Sequence, residues 1–159
     1  MIRTTGKQNW RTPREVFRAL NVEFRFRVDV AADDDNALLP EYYTDAFAHA
    51  WDGPAFLNPP FSTGEYKGEK GLGAWLLKAR EQAALGCTVV ALAPGDWSPE
   101  WFRKHVYGHA REIRLVYPRI NYDPPDGQKR SGANGPSFCL VYRPGVTRQS
   151  LIVPWTWKQ

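Results

Sequence analysis

The turn Asn58-Pro59-Pro60-Phe61 contains the residues best suited to chemistry in this 159-residue sequence. The side-chain oxygen of Asn58 and the backbone carbonyl of Pro59 are two acceptors that can hold both hydrogens of a planar aromatic amine, which frees its lone pair for alkylation. The prolines fix their own φ angles and present the carbonyls rigidly. Phe61 supplies a ring on which a flat base can stack. The turn therefore predicts a site for an aromatic amine, and the alternative is an ordinary proline-rich turn.

Three polar positions follow predicted strands, which indicates where this site would lie. FRFRVDVAA predicts a strand ending near Asp29, PAFL predicts a short strand before Asn58, and CTVVALAP predicts a buried strand before Pro94-Gly95-Asp96. Strands that alternate with helices predict a mostly parallel sheet, and ligands bind at the carboxyl ends of its strands. We therefore expect Asp29, Asn58 and Asp96 to lie together at the carboxyl ends of the strands.

The helices are predicted from caps and from the spacing of apolar residues. Pro13 is expected at the first position of the helix PREVFRAL, with Thr12 as its cap, and Ser98 is expected to cap the helix PEWFRKHVYG. A helix is also predicted over residues 36–43. The segment AWLLKAREQAAL predicts another helix, which Gly86 ends.

The remaining segments complete a single predicted domain over residues 1–159. The glycine-rich stretch 64–73 (GEYKGEKGLG) predicts a mobile loop. EIRLVY and SFCLVY are strands without a helix between them, so they predict an antiparallel hairpin at the sheet edge. The expected fold is a three-layer α/β/α domain.

Composition narrows the class of protein further. The formal net charge is +4 and the isoelectric point about 9.2, which is compatible with a polyanionic partner. Cys87 and Cys139 each lie in an apolar run, so we expect reduced core residues rather than a disulfide or a metal site. No apolar stretch is long enough to span a bilayer, and a soluble intracellular protein is expected.

Several charged residues have a simple structural explanation. Asp33-Asp34-Asp35 is expected to cap a following helix rather than bind a metal. His105 and His109 lie four residues apart, as zinc ligands can, but no third ligand accompanies them and we expect both to face solvent. Asp96 fits either the ligand edge or an ordinary turn. Arg119 fits either an ion pair within a loop or a contact with phosphate.

Taken together, the segments resemble the compact, mostly phage-encoded Dam-type DNA N6-adenine methyltransferases. The resemblance covers residues 9–143 and rests on segments that occur in the family's order: QNWRTPREVF, FRVDVAADDDNALLPEYYTDAF, WDGPAFLNPPF, VVALAPGDWSPEWF, YPRINY and GPSFCLVY. The chain departs from methyltransferases in general at VAADDDNA, where a Gly-x-Gly loop is usual. Phe61 also stands where tyrosine is commoner, which keeps the stacking surface.

The resemblance implies a Rossmann-like domain that binds S-adenosylmethionine and methylates N6 of adenine in double-stranded DNA after flipping the base out. Asn58, Pro59, Pro60 and Phe61 match the catalytic turn. The residues implied in cofactor binding are Trp10, Thr12, Pro13, Asp29, Ala31 and Asp45. Trp10, Thr12 and Pro13 would close over the methionine end of the cofactor, and Asp45 would contact its adenine end. For a phage-encoded member, the implied location is the cytoplasm of a bacterial host.

Contacts with DNA are expected from loops, since a single domain without a separate recognition domain is predicted. The loop 123–135 contains Lys129 and Arg130 among glycines; the other candidates are Arg119, Lys67 and Lys70. Two alternatives stay open. The same turn can serve another planar amine, such as cytosine N4 or a glutamine amide, and the chain can be a non-catalytic DNA-binding protein on a methyltransferase scaffold.

Overall fold

The protein is described by a computed structural model, which covers residues 10–124 and 135–159. The helices are α1 (Arg14–Phe24), α2 (Leu72–Ala84) and α3 (Glu100–His105). The strands are β1 (Val28–Asp29), β2 (Ala55–Leu57), β3 (Glu65–Tyr66), β4 (Glu69–Lys70), β5 (Val89–Pro94), β6 (Glu112–Tyr117), β7 (Ser137–Tyr142) and β8 (Leu151–Thr156). The chain is therefore a mixed α/β protein, as the alternation of patterns predicts.

The central sheet has six strands in the order β1-β2-β5-β7-β6-β8. Strands β1, β2 and β5 are parallel neighbours, and β6 and β8 are also parallel. Only β7 runs in the opposite direction, because it pairs antiparallel with both β5 and β6. The mostly parallel sheet and its antiparallel pair are confirmed, but the predicted place of that pair at the sheet edge is wrong. Strand β7 lies inside the sheet, and the edge is formed by β8.

Strand β8 was not predicted from the sequence. Its residues LIVPWT contain Pro154, and a proline within an apolar run argues against a strand in the interior of a sheet. At an edge the missing N–H is tolerated, because one side of the strand pairs with no other strand among residues 10–124 and 135–159. All six residues of β8 pair with β6.

Helices cover both faces of the central sheet. On one face, Val90 and Leu92 of β5 pack in a cluster with the α1 residues Val16, Phe17 and Leu20. On the other face, the alternate residues of β5 pack with apolar residues of α2: Val89, Ala91 and Ala93 with Leu72, Trp75, Leu76, Ala79 and Ala83. The middle of the sheet is therefore buried between two apolar layers, whereas the residues that follow the strand ends can reach the surface.

The predicted helix caps are wrong at two places. Pro13, not Thr12, occupies the capping position of α1, and no side chain caps this helix. Pro99 rather than Ser98 precedes α3, which is only six residues long. The end of α2 follows the prediction, since Gly86 comes two residues after Ala84 with φ 109°.

The predicted helix over residues 36–43 is absent, because Pro40 lies in its middle. Proline lacks an N–H and disfavours helical backbone at the residue before it. Instead, Asp33 Oδ1 accepts hydrogen bonds from the N–H groups of Asp35 and Asn36, and Asn36 Oδ1 accepts one from Asp33 N–H. The acidic run thus forms a turn rather than a helix cap. Tyr42 then pairs with Asp29 in a single parallel bridge.

The segment 64–73 is an ordered hairpin followed by the start of α2, so its assignment as a mobile loop is wrong. Strands β3 and β4 pair in it. Gly71 N–H donates to the Gly64 carbonyl at 2.9 Å, and Leu72 N–H donates to the Phe61 carbonyl at 3.0 Å. A Cβ atom at Gly71 would lie 2.8 Å from the Phe61 carbonyl oxygen, and its φ is +60°. Only glycine fits there, which fixes the hairpin against the Phe61 turn.

Candidate active site

A cleft opens at the carboxyl ends of β1 and β2. It encloses about 360 Å³, including its open mouth, and is lined by Trp10, Arg11, Thr12, Asp29, Ala31, Asn36, Leu38, Phe56, Asn58 and Pro60. Six of these residues were predicted in the cofactor site or the catalytic turn: Trp10, Thr12, Ala31, Asp29, Asn58 and Pro60. The structure therefore brings together segments that lie up to 50 residues apart in the sequence.

The segment that carries Trp10 and Thr12 is held over the cleft from a distant part of the chain. Arg11 N–H donates to the Asp123 carbonyl at 2.8 Å, and Asp123 N–H donates to the Arg11 carbonyl at 2.9 Å. Asp123 follows β6, which is separated from β2 by β7 and β5, so the chain passes the carboxyl end of β5 to reach this bridge. The sequence gives no signal for that pairing. Arg11 could have been proposed only as the residue between two matched positions.

Asp29 is the buried acid of the cleft. It ends β1 and is 3% exposed. Its Oδ2 accepts a hydrogen bond from Leu38 N–H at 3.2 Å, whereas Oδ1 has no hydrogen-bond partner among the described residues. Burial outweighs the opposing effect of the Leu38 and Ala31 backbone N–H groups and raises the pKa of Asp29 to about 6. One oxygen of this carboxyl group is thus left for a donor from outside the described chain.

Thr12 presents a second unpartnered polar atom to the same cleft. The residue is 4% exposed, and its Oγ1 has no hydrogen-bond partner within the described part of the chain. Buried hydroxyl groups nearly always form a hydrogen bond in folded proteins. Since the cap predicted for Thr12 does not form, the hydroxyl group is not used by α1. It can serve a ligand instead.

The predicted catalytic turn begins where β2 ends. Asn58 Nδ2 donates to the Trp10 carbonyl at 3.1 Å, so the amide is held by its donor side. Its Oδ1 remains an acceptor beside the cleft. Phe61 is 45% exposed, which is unusual for so large an apolar side chain and shows that it does not belong to the core. Pro59 is buried and Pro60 lines the cleft.

Two residues predicted in cofactor binding do not line the cleft. Pro13 precedes α1, next to Thr12. The Asp45 side chain is exposed and lies 2.9 Å from His49 Nε2 in an ion pair. The role of Asp45 at the cofactor's adenine end stays a prediction. Asn36 and Leu38 are residues of the cleft that the sequence did not suggest, because their segment was assigned to a helix.

The basic residues proposed for DNA contact lie in different surroundings. Lys67 is paired with Glu81 at 2.9 Å, and Lys70 is exposed on β4. Arg119 follows β6 in a stretch where exposed Arg119 and Asn121 alternate with buried Ile120. Arg119 is therefore exposed, at the same end of the strands as the cleft. Lys129 and Arg130 lie outside the described residues.

The assignment of His105 to the solvent is wrong. His105 is buried, with Nε2 3.2 Å from Glu69 Oε1 and Nδ1 3.3 Å from Arg80. Burial lowers the pKa of His105. His109 is half-buried. These contacts fasten β4 to α2 and α3, away from the cleft. Within residues 10–124 and 135–159, no three side chains of the metal-binding types are grouped to hold an ion.

The two cysteines are buried and unpaired, as expected. Asp96 is exposed, and its Oδ1 accepts a hydrogen bond from Ser98 N–H at 2.9 Å, so it belongs to the turn after β5. None of the described helices is both long and apolar enough to cross a bilayer.

A mostly parallel sheet with an unsatisfied polar cleft at its strand ends is the arrangement typical of ligand-binding α/β proteins. Comparison with protein families makes that class specific. The chain belongs to the DNA N-6-adenine-methyltransferase (Dam) family, whose model matches residues 2–156. Neither the curated proteins nor the solved structures give a significant match. The family identified from the sequence is therefore confirmed over nearly the whole chain.

Proposed function

We propose that this chain transfers a methyl group from S-adenosylmethionine to N6 of adenine in double-stranded DNA, after the base has left the duplex for the turn Asn58–Phe61. The observation that carries the proposal is the hydrogen bond from Asn58 Nδ2 to the Trp10 carbonyl. This bond orients the amide so that Oδ1 can accept a hydrogen from an incoming amine, beside a cleft with unsatisfied polar atoms. Membership of the Dam family supports DNA adenine over other planar amines and over a non-catalytic role.

The polar atoms of the cleft fit the proposed cofactor. S-adenosylmethionine carries an ammonium group, a carboxylate and sugar hydroxyl groups, and when bound it supplies an electrophilic methyl group. Asp29 Oδ1 would accept from a cationic donor, and Thr12 Oγ1 would bond to a neighbouring polar group. Trp10 and Ala31 would form apolar walls. We infer that this cleft belongs to a Rossmann-like methyltransferase domain that acts in the cytoplasm of a bacterial host.

The catalytic turn would act by orientation rather than by strong acid–base chemistry. Asn58 Oδ1 and the Pro59 carbonyl would accept the two hydrogens of the adenine amine, which directs the nitrogen lone pair away from the ring plane. The amine loses a proton only after the new N–C bond has formed, when the nitrogen is positively charged and strongly acidic. Phe61 would stack on the extruded base through its exposed ring.

Replacement of Asn58 by alanine tests this mechanism. We expect Asn58→Ala to lower the methylation rate roughly 30- to 1000-fold, corresponding to about 2–4 kcal/mol, because an oriented acceptor is lost from a partly desolvated site. Cofactor affinity, measured by calorimetry, should stay close to that of the wild type. The assay follows labelled methyl transfer to bacterial DNA that lacks adenine methylation, with nucleoside analysis of the product.

A matched control is Asn21→Ala, which removes an amide on α1, remote from the cleft, where Asn21 Oδ1 accepts Phe26 N–H. It should retain the activity of the wild type. Activity of Asn58→Ala within a few-fold of the wild type would contradict the catalytic assignment. A product methylated on cytosine would contradict the adenine assignment.

A further inference from the structure

Trp97 is the exception among the tryptophans of this chain. The sequence has seven, all within the described residues, and only Trp97 is exposed, at 73%. The other six are buried or half-buried. Exposure of so large an aromatic surface to water is unfavourable, so its retention outside the core needs an explanation such as a binding partner. The position of Trp97 indicates which partner that is.

Trp97 lies at the same end of the sheet as the catalytic turn. Strands β2 and β5 are parallel neighbours, with Leu57 opposite Ala91, and Asn58 leaves the sheet directly after β2. Strand β5 continues for three more residues to Pro94, about 10 Å further along the strand direction. The turn that carries Trp97 therefore emerges beside the catalytic turn and extends past the last paired residue of β2.

The turn that carries Trp97 is held on both sides. Gly95 N–H donates to the Pro136 carbonyl at 2.7 Å, and Asp96 N–H donates to the Pro94 carbonyl at 2.8 Å. Asp96 Oδ1 then accepts Ser98 N–H, which closes the turn around Trp97. A Cβ atom at Gly95 would lie 2.9 Å from the Pro136 carbonyl carbon, so the two segments touch. The indole is thus presented on a fixed backbone.

Other flat and cationic side chains lie at this end of the sheet. Tyr117, the last residue of β6, is 74% exposed, Arg119 follows it and is also exposed, and Phe61 is exposed on the catalytic turn. Strands β2, β5 and β6 all point the same way, so these residues lie at one end of the strands. Exposed aromatic rings and a guanidinium at one end of a sheet suit the bases and phosphates of a nucleic acid.

We propose that Trp97 enters the DNA duplex at the step from which the target adenine is extruded. Extrusion breaks stacking on both sides of the base and leaves a gap in the helix. The Trp97 indole would fill the gap and stack on the adjacent bases, so that the extruded state is stabilised relative to the closed duplex. Trp97 is a positioning residue here, and its role rests on the proposed adenine methylation of DNA.

The experiment compares two duplexes that differ only in the cost of extruding the base. Wild-type enzyme first methylates bacterial DNA, and mapping of the methylated adenines gives a site. Two oligonucleotide duplexes are then made with that site, one with the target adenine paired to thymine and one with it opposite an abasic position. Initial rates are measured for the wild type, Trp97→Ala and Trp97→Phe, with Tyr107→Ala as the control. Tyr107 is an exposed aromatic residue after α3, at the opposite end of the strands.

We expect Trp97→Ala to lower kcat/KM on the paired duplex roughly 10- to 100-fold, while it stays within about threefold of the wild type on the abasic duplex. Trp97→Phe should recover most of the loss, because a flat ring remains. Tyr107→Ala should match the wild type on both duplexes. Since Trp97 is exposed, none of these changes should affect folding or cofactor affinity.

Equal losses for Trp97→Ala on the two duplexes, or no loss on either, would overturn the proposal. A change in oligomeric state on sedimentation would instead assign Trp97 to a contact between copies of the chain, and would also overturn it. Failure of the proposed function is a separate result at the first step. If the wild type methylates no adenine in any DNA, both proposals fall together.

Discussion

Two groups of polar residues in this protein, each built around a buried charged side chain, differ in where the partners of that side chain come from. In the first, which we call the Arg114 cluster (Arg114, Glu23 and Glu112), the guanidinium of β6 is buried and donates to both oxygens of Glu23, at 2.8 and 2.6 Å, and to Glu112 at 3.3 Å. In the second, the cleft, the atoms Asp29 Oδ1 and Thr12 Oγ1 are equally buried and form no hydrogen bond with any described residue.

The two groups shift the pKa values of their carboxyl groups in opposite directions. The hydrogen bond from Arg114 lowers the pKa of Glu23, so its ionised form stabilises the fold above its unfolded-state pKa and this stabilisation is lost as the pH falls. Burial raises the pKa of Asp29 to about 6, so its contribution is present below about pH 4 and is lost as the pH rises through 6. At neutral pH the Arg114 cluster therefore supports the structure, whereas Asp29 costs stability that a cationic ligand can restore.

The largest effect that would sharpen this comparison is expected from the Arg114 cluster. The double change Glu23→Gln and Glu112→Gln leaves the buried Arg114 guanidinium without a carboxylate partner, so we expect the free energy of unfolding to fall by about 3 kcal/mol. Urea denaturation measures the change. Cofactor affinity of the folded variant should be unaltered, since neither glutamate lines the cleft. A variant as stable as the wild type would show that the cluster does not support the fold.

For Asp29→Asn we expect the reverse pattern, a loss of cofactor affinity without a loss of stability. The amide keeps an acceptor for Leu38 N–H but lacks the charge, and we expect cofactor affinity to fall roughly 30- to 100-fold. Without ligand at pH 8, the same variant should be more stable than the wild type by up to about 3 kcal/mol, because the buried charge is gone.

Calorimetry and urea denaturation on one preparation test both expectations for Asp29→Asn. The matched control is Asp52→Asn, an exposed acid that pairs with Arg27 outside the cleft. It should change neither quantity by much. Loss of stability in Asp29→Asn, with affinity unchanged, would reverse the contrast between the two groups.

The smallest effect is a pH dependence of cofactor binding in the wild type. If the ionised form of Asp29 binds the cationic group, affinity should fall about tenfold between pH 7 and pH 5, because protonation of a group with a pKa near 6 removes the competent form. Asp29→Asn should show a flat profile over the same range. A slope that persists in this variant would assign the titration to another group.

The site was easier to predict from the sequence than the scaffold around it. Asp29 and Asn58 each follow a strand, and the rule that ligands bind at strand ends places them together without further information. Asn36 was not proposed for the cleft because residues 36–43 were assigned to a helix. Local patterns also predicted β5 and α2, whose periodicities are strong.

Contacts between remote segments could not be predicted. The exposed position expected for His105 followed from the lack of a third metal ligand in the sequence, whereas in the structure His105 is buried against Glu69 of β4 and Arg80 of α2. The bridge between Arg11 and Asp123 joins backbone groups 112 residues apart, and no local sequence pattern predicts it. The expected phosphate contacts of Lys129 and Arg130 stay a prediction, since both residues lie outside the described part of the chain.

Pro154 in β8 has a consequence for how the protein behaves when many copies are present together. An outer strand offers a row of free N–H and C=O groups to which a strand of another molecule can add, and the exposed Leu151 and Ile152 would favour such an addition. Proline is accommodated in a sheet where its ring faces away from the paired neighbour, so Pro154 removes a donor from that outward row. Because one donor is missing from the outer row of β8, we expect Pro154 to hinder the addition of a strand from another copy, although Leu151 and Ile152 are exposed there.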